Sequence, residues 1–133
     1  MRKDYNELPK EIQEQGFDFH WDKNKLWALD IPIEDMDVSF LEWQLDLPFW
    51  AHDGKKYNLH PRYVLKKIDS YPDHKDRILN ADIQYPIDIM ENQNGNLEIL
   101  DGVHRLVRLM LEGNTKIKVR KIPRKFISLI EKE

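Results

Sequence analysis

Asp101-Gly102-Val103-His104-Arg105 gathers a carboxylate, a residue without a side chain, an imidazole and a guanidinium into one short stretch. Between a strand and a helix, such a turn is suited to hold a phosphate group. The first helical amides have no intrahelical acceptor, and the helix dipole adds partial positive charge where they point. Gly102 lets an oxygen approach the backbone, Arg105 offers a planar fork to two phosphate oxygens, and His104 adds a ring nitrogen. Asp101 at the N-cap position would compete for the same amides unless it turns outward to bind Mg2+ or a substrate hydroxyl. The same residues also describe an ordinary capped helix with a solvated arginine, and spacing alone does not separate the two readings.

The flanking sequence supplies the strand and the helix. Ile87 to Met90 and Leu97 to Leu100 are short apolar runs joined through Asn94-Gly95, a pair able to take the positive φ angles of a hairpin turn. Val103, Leu106, Val107, Met110 and Leu111 recur at helical spacing, and Gly113 stands where a left-handed cap belongs. Lys116 to Arg120 then alternates polar and apolar residues, and Pro123 closes the strand. Residues 85–123 therefore form a strand, hairpin, helix and strand unit.

Upstream, Pro61 suits a first helical position, and helices are expected over Pro61 to Ser70 and from Pro72 or Asp73 to Asn80. Asp53-Gly54 marks a turn, with loop to Asn58. Leu41, Trp43, Leu45, Leu47, Phe49 and Trp50 alternate partly like a strand and form a dense apolar cluster for the core. Ile31-Pro32-Ile33 suits an edge strand or its exit, and Asp35, Asp37 and Ser39 suit the cap of a short helical turn. Residues 1–25 show no clean period and are expected to be a peripheral N-terminal segment with one short helix. Residues 26–133 make the single domain.

At 133 residues, with 41% hydrophobic and 34% charged residues, the chain suits one globular core. It has no cysteine, which excludes disulfides, thiolate nucleophiles and cysteine-ligated metals. The start of the chain carries no apolar signal region and no stretch approaches the ~18 apolar residues of a membrane helix, so a cytoplasmic protein without membrane partners is expected. The formal charge of −3 speaks against a dedicated nucleic-acid binder. Nine basic residues against four acidic ones from Asp101 onward nevertheless give that stretch +5, against −8 upstream.

Ile99 to Leu106, preceded by the Tyr85-Pro86-Ile87 strand and followed by Gly113 and the Ile117 to Val119 strand, resembles the phosphate-binding region of the ParB and sulfiredoxin superfamily over about 40 residues. The resemblance implies an α+β fold, a small mixed sheet flanked by helices. It implies a nucleoside di- or triphosphate (ATP, ADP or CTP) with Mg2+ at Gly102, Val103, His104 and Arg105. Sulfiredoxins reduce cysteine sulfinic acid through a cysteine before the His-Arg pair; Val103 stands there, so that chemistry is ruled out. Chromosome-partitioning ParB proteins need further domains that this length does not hold. Free serine kinases of the superfamily carry a similar turn, which makes Asp101 a candidate base or metal ligand, His104 a second catalytic candidate, and Glu34, Asp35 or Asp37 a further acidic group.

The leading expectation is thus a nucleotide-binding protein, a kinase-like phosphotransferase or NTPase acting on an unidentified small-molecule or protein acceptor. A DNA-binding ParB-like partition or nuclease module using Arg105, Arg108, Lys116, Lys118, Arg120 and Arg124 is the alternative. A third is a partner-binding protein that kept the fold and lost the chemistry, with Arg105 paired internally to Asp101 or Glu112. His52, His60 and His74 match no metal-ligand spacing, Trp43, Phe49 and Trp50 could stack a base, and no serine has hydrolase context.

Overall fold

A computed structural model describes residues 7–132. Two short helices, α1 (Lys10–Gln15) and α2 (Lys23–Trp27), precede strand β1 (Ile33–Asp37). Asp22 caps α2 by accepting from the amides of Asn24 and Lys25, and Asp37 accepts from Ser39 to start a single 3-10 turn. The cluster expected to alternate like a strand instead forms a second 3-10 turn over Glu42–Asp46. The reason is Gln44: fully buried, it donates to Leu41 O and accepts from the Ile99 amide, so Leu41, Gln44 and Leu45 face inward at helical spacing.

Strands β2 (Trp50–His52) and β3 (Lys55–Leu59) pair across Asp53-Gly54, both left-handed at φ +54° and +77°. The expected loop to Asn58 is thus a strand. Its exposed, polar residues hid it, and Tyr57 at φ +56° sits where the pairing register shifts. Helix α3 (Pro61–Lys66) stops before Ser70; a separate 3-10 turn follows, and α4 (Pro72–Leu79) begins with its own proline. That proline disfavours helical geometry at Tyr71, which is why one continuous helix does not form.

The final unit matches its expected elements: β4 (Ile87–Glu91), β5 (Leu97–Asp101), α5 (Val103–Leu111) and β6 (Lys116–Lys121), followed by α6 (Ile127–Ile130). In the hairpin only Gly95 takes positive φ; Asn92 Oδ1 organises the turn by accepting from the Asn94 and Asn96 amides. Gly113 at φ +85° donates to Met110 O while Asn114 donates to Leu109 O, which satisfies the last carbonyls of α5.

The sheet order is β1-β6-β4-β5, with β4 parallel to β6 and the other pairs antiparallel. This is a single small α+β domain with a mixed sheet. β4 is buried on both faces, as a central strand with two covered sides must be. Ile87, Ile89, Leu106 and Val107 pack with Leu41, Leu45 and Trp50 on one side. On the other, Met90, Leu100, Ile122 and Ile130 meet Phe17, Phe19 and Leu26. The N-terminal segment is therefore not peripheral: its aromatic residues close the second face of the sheet.

Candidate functional site

β5 ends at Asp101, and the chain enters α5 through Gly102 at φ +121°, a value that disfavours a side chain. A Cβ there would lie 3.2 Å from Ile87 and 3.3 Å from the Arg105 guanidinium, so packing adds to the preference of the turn for glycine. No side chain among the described residues caps α5, and the first helical bond is Leu106 N–H to Gly102 O. The amides of Val103, His104 and Arg105 thus begin the helix without a side-chain acceptor.

This turn lines a cavity of about 640 Å³. Lys23 of α2, Tyr57 of β3, His74 and Arg77 of α4 and Tyr85 before β4 complete its wall. Arg77 is exposed and has no hydrogen-bond or ion-pair partner among the described residues. Its charge is free for a ligand. Neither Lys23 nor Arg77 had been marked by spacing, because each reaches the turn only through packing of a distant helix.

Asp101 and Arg105 are placed differently from the expectation. Asp101 does turn away from the amides, but toward protein donors: Trp27 Nε1 at 2.9 Å and Arg105 Nη2 at 2.7 Å on one oxygen, Lys23 Nζ at 3.6 Å from the other. Arg105 spends its second Nη on Pro86 O. The guanidinium is locked behind the turn, and the carboxylate is surrounded by donors that a metal ion would have to displace. No group of three metal-ligating side chains occurs among the described residues, and Mg2+ on Asp101 does not fit this arrangement. Beyond the pair, Trp27 and Tyr85, both more than half exposed, flank a smaller cavity of about 380 Å³.

His104 meets His74, a residue thirty positions away, with Nε2 3.4 Å from His74 Nδ1. Both imidazoles stack on Trp50, at centroid distances of 4.2 Å and 4.6 Å, and lie 5.7 Å from each other. That separation puts them side by side on one face of the indole, since opposite faces would hold them much farther apart. Trp50 is therefore covered and is no base-stacking platform; Trp43 is tied to Leu97 O.

Burial first, then the charges of Arg77, His74 and Lys23, push the His104 pKa down from 6.5 to about 3. Unfolded His104 would take a proton near its ordinary value, whereas the folded ring does not. Stability held above pH 6.5 is therefore lost progressively as pH falls toward 3. Urea midpoints measured across that window should fall with pH, and fall less steeply in His104→Gln.

Glu34 and Asp35 lie on β1, at the sheet edge opposite β5, and Asp37 is a turn cap, so none joins the site. The basic residues proposed for DNA are largely committed: Lys118 pairs with Asp35, Arg120 with Asp88, Arg108 with Glu112 and two carbonyls, and Arg124 with Glu91 O. No helix among the described residues is long and apolar enough to cross a membrane.

Comparison with protein-family models, with curated proteins and with solved structures finds no match. What the cavity accepts rests on its own geometry.

Proposed function

We propose that the protein binds a phosphate-bearing ligand, a nucleoside di- or triphosphate such as ATP, ADP or CTP, in the cavity at Gly102 to Arg105. The observation that carries this reading is Arg77, without a partner among the described residues, lining the same cavity as the uncapped amides of α5. Helix amides and a free guanidinium together favour a multiply charged anion over a neutral ligand. The exposed rings of Trp27 and Tyr85 flank the smaller cavity beyond the Asp101–Arg105 pair, Tyr85 lines both cavities, and the two rings suit the flat base of a nucleotide. On this reading the fold is a ParB/sulfiredoxin-like one, supported by the hairpin, glycine turn and helix that lead from β4 and β5 to a parallel β6.

In this proposal Asp101 and Arg105 are a structural pair that sets the shape of the turn. Charge neutralisation falls to Lys23, Arg77 and the amides instead of a metal on Asp101. Of the two catalytic candidates only His104 keeps a ring nitrogen available, so a phosphotransferase or NTPase activity would depend on it. The internal Arg105–Asp101 pair is the one observation that favours the second reading, a module that binds its ligand or partner without chemistry.

A thermal-shift series with pyrophosphate, ADP, ATP and CTP, with and without Mg2+, tests the proposal. Wild type should be stabilised. Arg77→Ala should weaken binding about tenfold, as loss of one charged hydrogen bond does, while leaving the ligand-free melting temperature unchanged. Stabilisation equal in wild type and Arg77→Ala would remove the cavity as the site.

A further inference from the structure

His74 Nε2 lies 2.8 Å from Ala51 O. A carbonyl only accepts, so this nitrogen carries the proton, and in an uncharged ring Nδ1 is then bare. The His104 Nε2 facing it must be the donor. One tautomer of each ring satisfies the whole chain from His104 through His74 to Ala51 O, and it leaves His104 Nδ1 as the one ring nitrogen of the pair without a hydrogen atom and without a partner among the described residues.

The pair is held rigidly. Both rings lie nearly parallel to the Trp50 indole, 10° and 11° away from it, so neither can rotate without leaving that face. α4 supplies His74 and α5 supplies His104, and the shift of register between β2 and β3 sets Ala51 O opposite His74. Two helices and the β2–β3 ribbon thus cooperate to fix a proton position.

We propose that His74 is a positioning residue that holds His104 with its proton on Nε2, so that His104 Nδ1 takes up a proton from solvent when an anion enters the cavity and becomes a donor to that anion. This rests on the anion-site reading above and names the group that completes the site. The charges that face His104 fit the sequence of events. Arg77 and His74 from α4 and Lys23 from α2 oppose protonation in the free protein. On the acidic side Asp101 is matched by Arg105 and Lys23, Glu98 is buried with Asn92, and Asp82 also lines the cavity. An incoming phosphate adds negative charge and cancels the field of Lys23 and Arg77, which raises the His104 pKa. Binding and protonation are then linked, and each strengthens the other.

Nitrogen-detected NMR of the histidine rings tests both halves. In the free wild-type protein His104 should show the Nε2–H tautomer and stay neutral between about pH 5 and 8, as a pKa about 3 requires. In His74→Phe, which keeps a ring on Trp50, the tautomer should become mixed. Pyrophosphate exchanges protons of its own near neutral pH, so calorimetry in buffers of different ionisation enthalpy compares wild type with His104→Gln; wild type should take up more protons than the variant at about pH 6. An Nδ1–H tautomer in the free protein, or pyrophosphate bound in the cavity with equal proton exchange in the two proteins, overturns the proposal. If pyrophosphate fails to bind at any pH, the anion-site reading fails and the uptake with it. The tautomer of the free protein is decided either way.

Discussion

Arg120→Ala is expected to lower the unfolding free energy by about 3–5 kcal/mol, the range for breaking a buried ion pair by removing one partner. Arg120 Nε donates to Asp88 Oδ1 at 2.6 Å, and the two side chains are only 11% and 3% exposed. Its terminal nitrogens donate to Leu29 O at 2.7 Å and Leu26 O at 3.1 Å, which ties β6 to α2 and to the chain just after it. Truncation would leave a buried carboxylate on β4 and Leu29 O without the Arg120 donor, while Leu26 O keeps the Leu29 amide. Urea unfolding of Arg120→Ala beside Lys118→Ala makes the contrast. Lys118 sits in an exposed pair with Asp35, so its loss should cost no more than about 1 kcal/mol. Equal, small losses in both, with weakened duplex DNA binding, would instead favour the nucleic-acid alternative.

Asp101→Asn should raise the affinity for pyrophosphate about fivefold or more while lowering stability by roughly 1–3 kcal/mol, the cost of weakening a charged, partly buried hydrogen bond. The carboxylate is a negative charge in the wall of the cavity, held by Arg105, Trp27 and Lys23. Asparagine keeps the shape and one acceptor for the indole but releases Lys23 and reduces the opposing charge. A catalytic base or metal ligand at this position predicts the reverse sign in the functional measurement, with activity or Mg2+-dependent binding abolished. Isothermal titration of both proteins at one ionic strength separates the two, because the electrostatic gain is screened by salt.

The unit from β4 to β6 was legible because its signals are local. Gly113 at a helix end, a hydrophobic stripe of period 3.6 and an alternating strand each declare themselves within a few residues. The Arg105–Asp101 pair was also within reach, since the two are four apart across a helix start. What spacing could not carry was the direction of Asp101, which is set by Trp27 and Lys23 from α2. Phe17 and Phe19 are apolar enough to pack, but they lie on irregular chain, where a buried face leaves no period to show that they close the sheet. β3 was hidden by its polar, solvent-facing side chains. His74 and Arg77 carry no sequence signal for the site: they reach it only because α4 packs on α5, and Trp50 arrives from a two-stranded ribbon outside the main sheet.

The most direct test of the anion site is a titration of 15N-labelled protein with inorganic pyrophosphate, followed through the backbone amides. Saturable shifts concentrated at Val103, His104 and Arg105, with a matching response at the Arg77 side chain and a weaker affinity at high salt, are the expected result. Amides of the Gly102 to Arg105 turn that stay unmoved at saturating ligand, or shifts confined to surface lysines elsewhere, would contradict it.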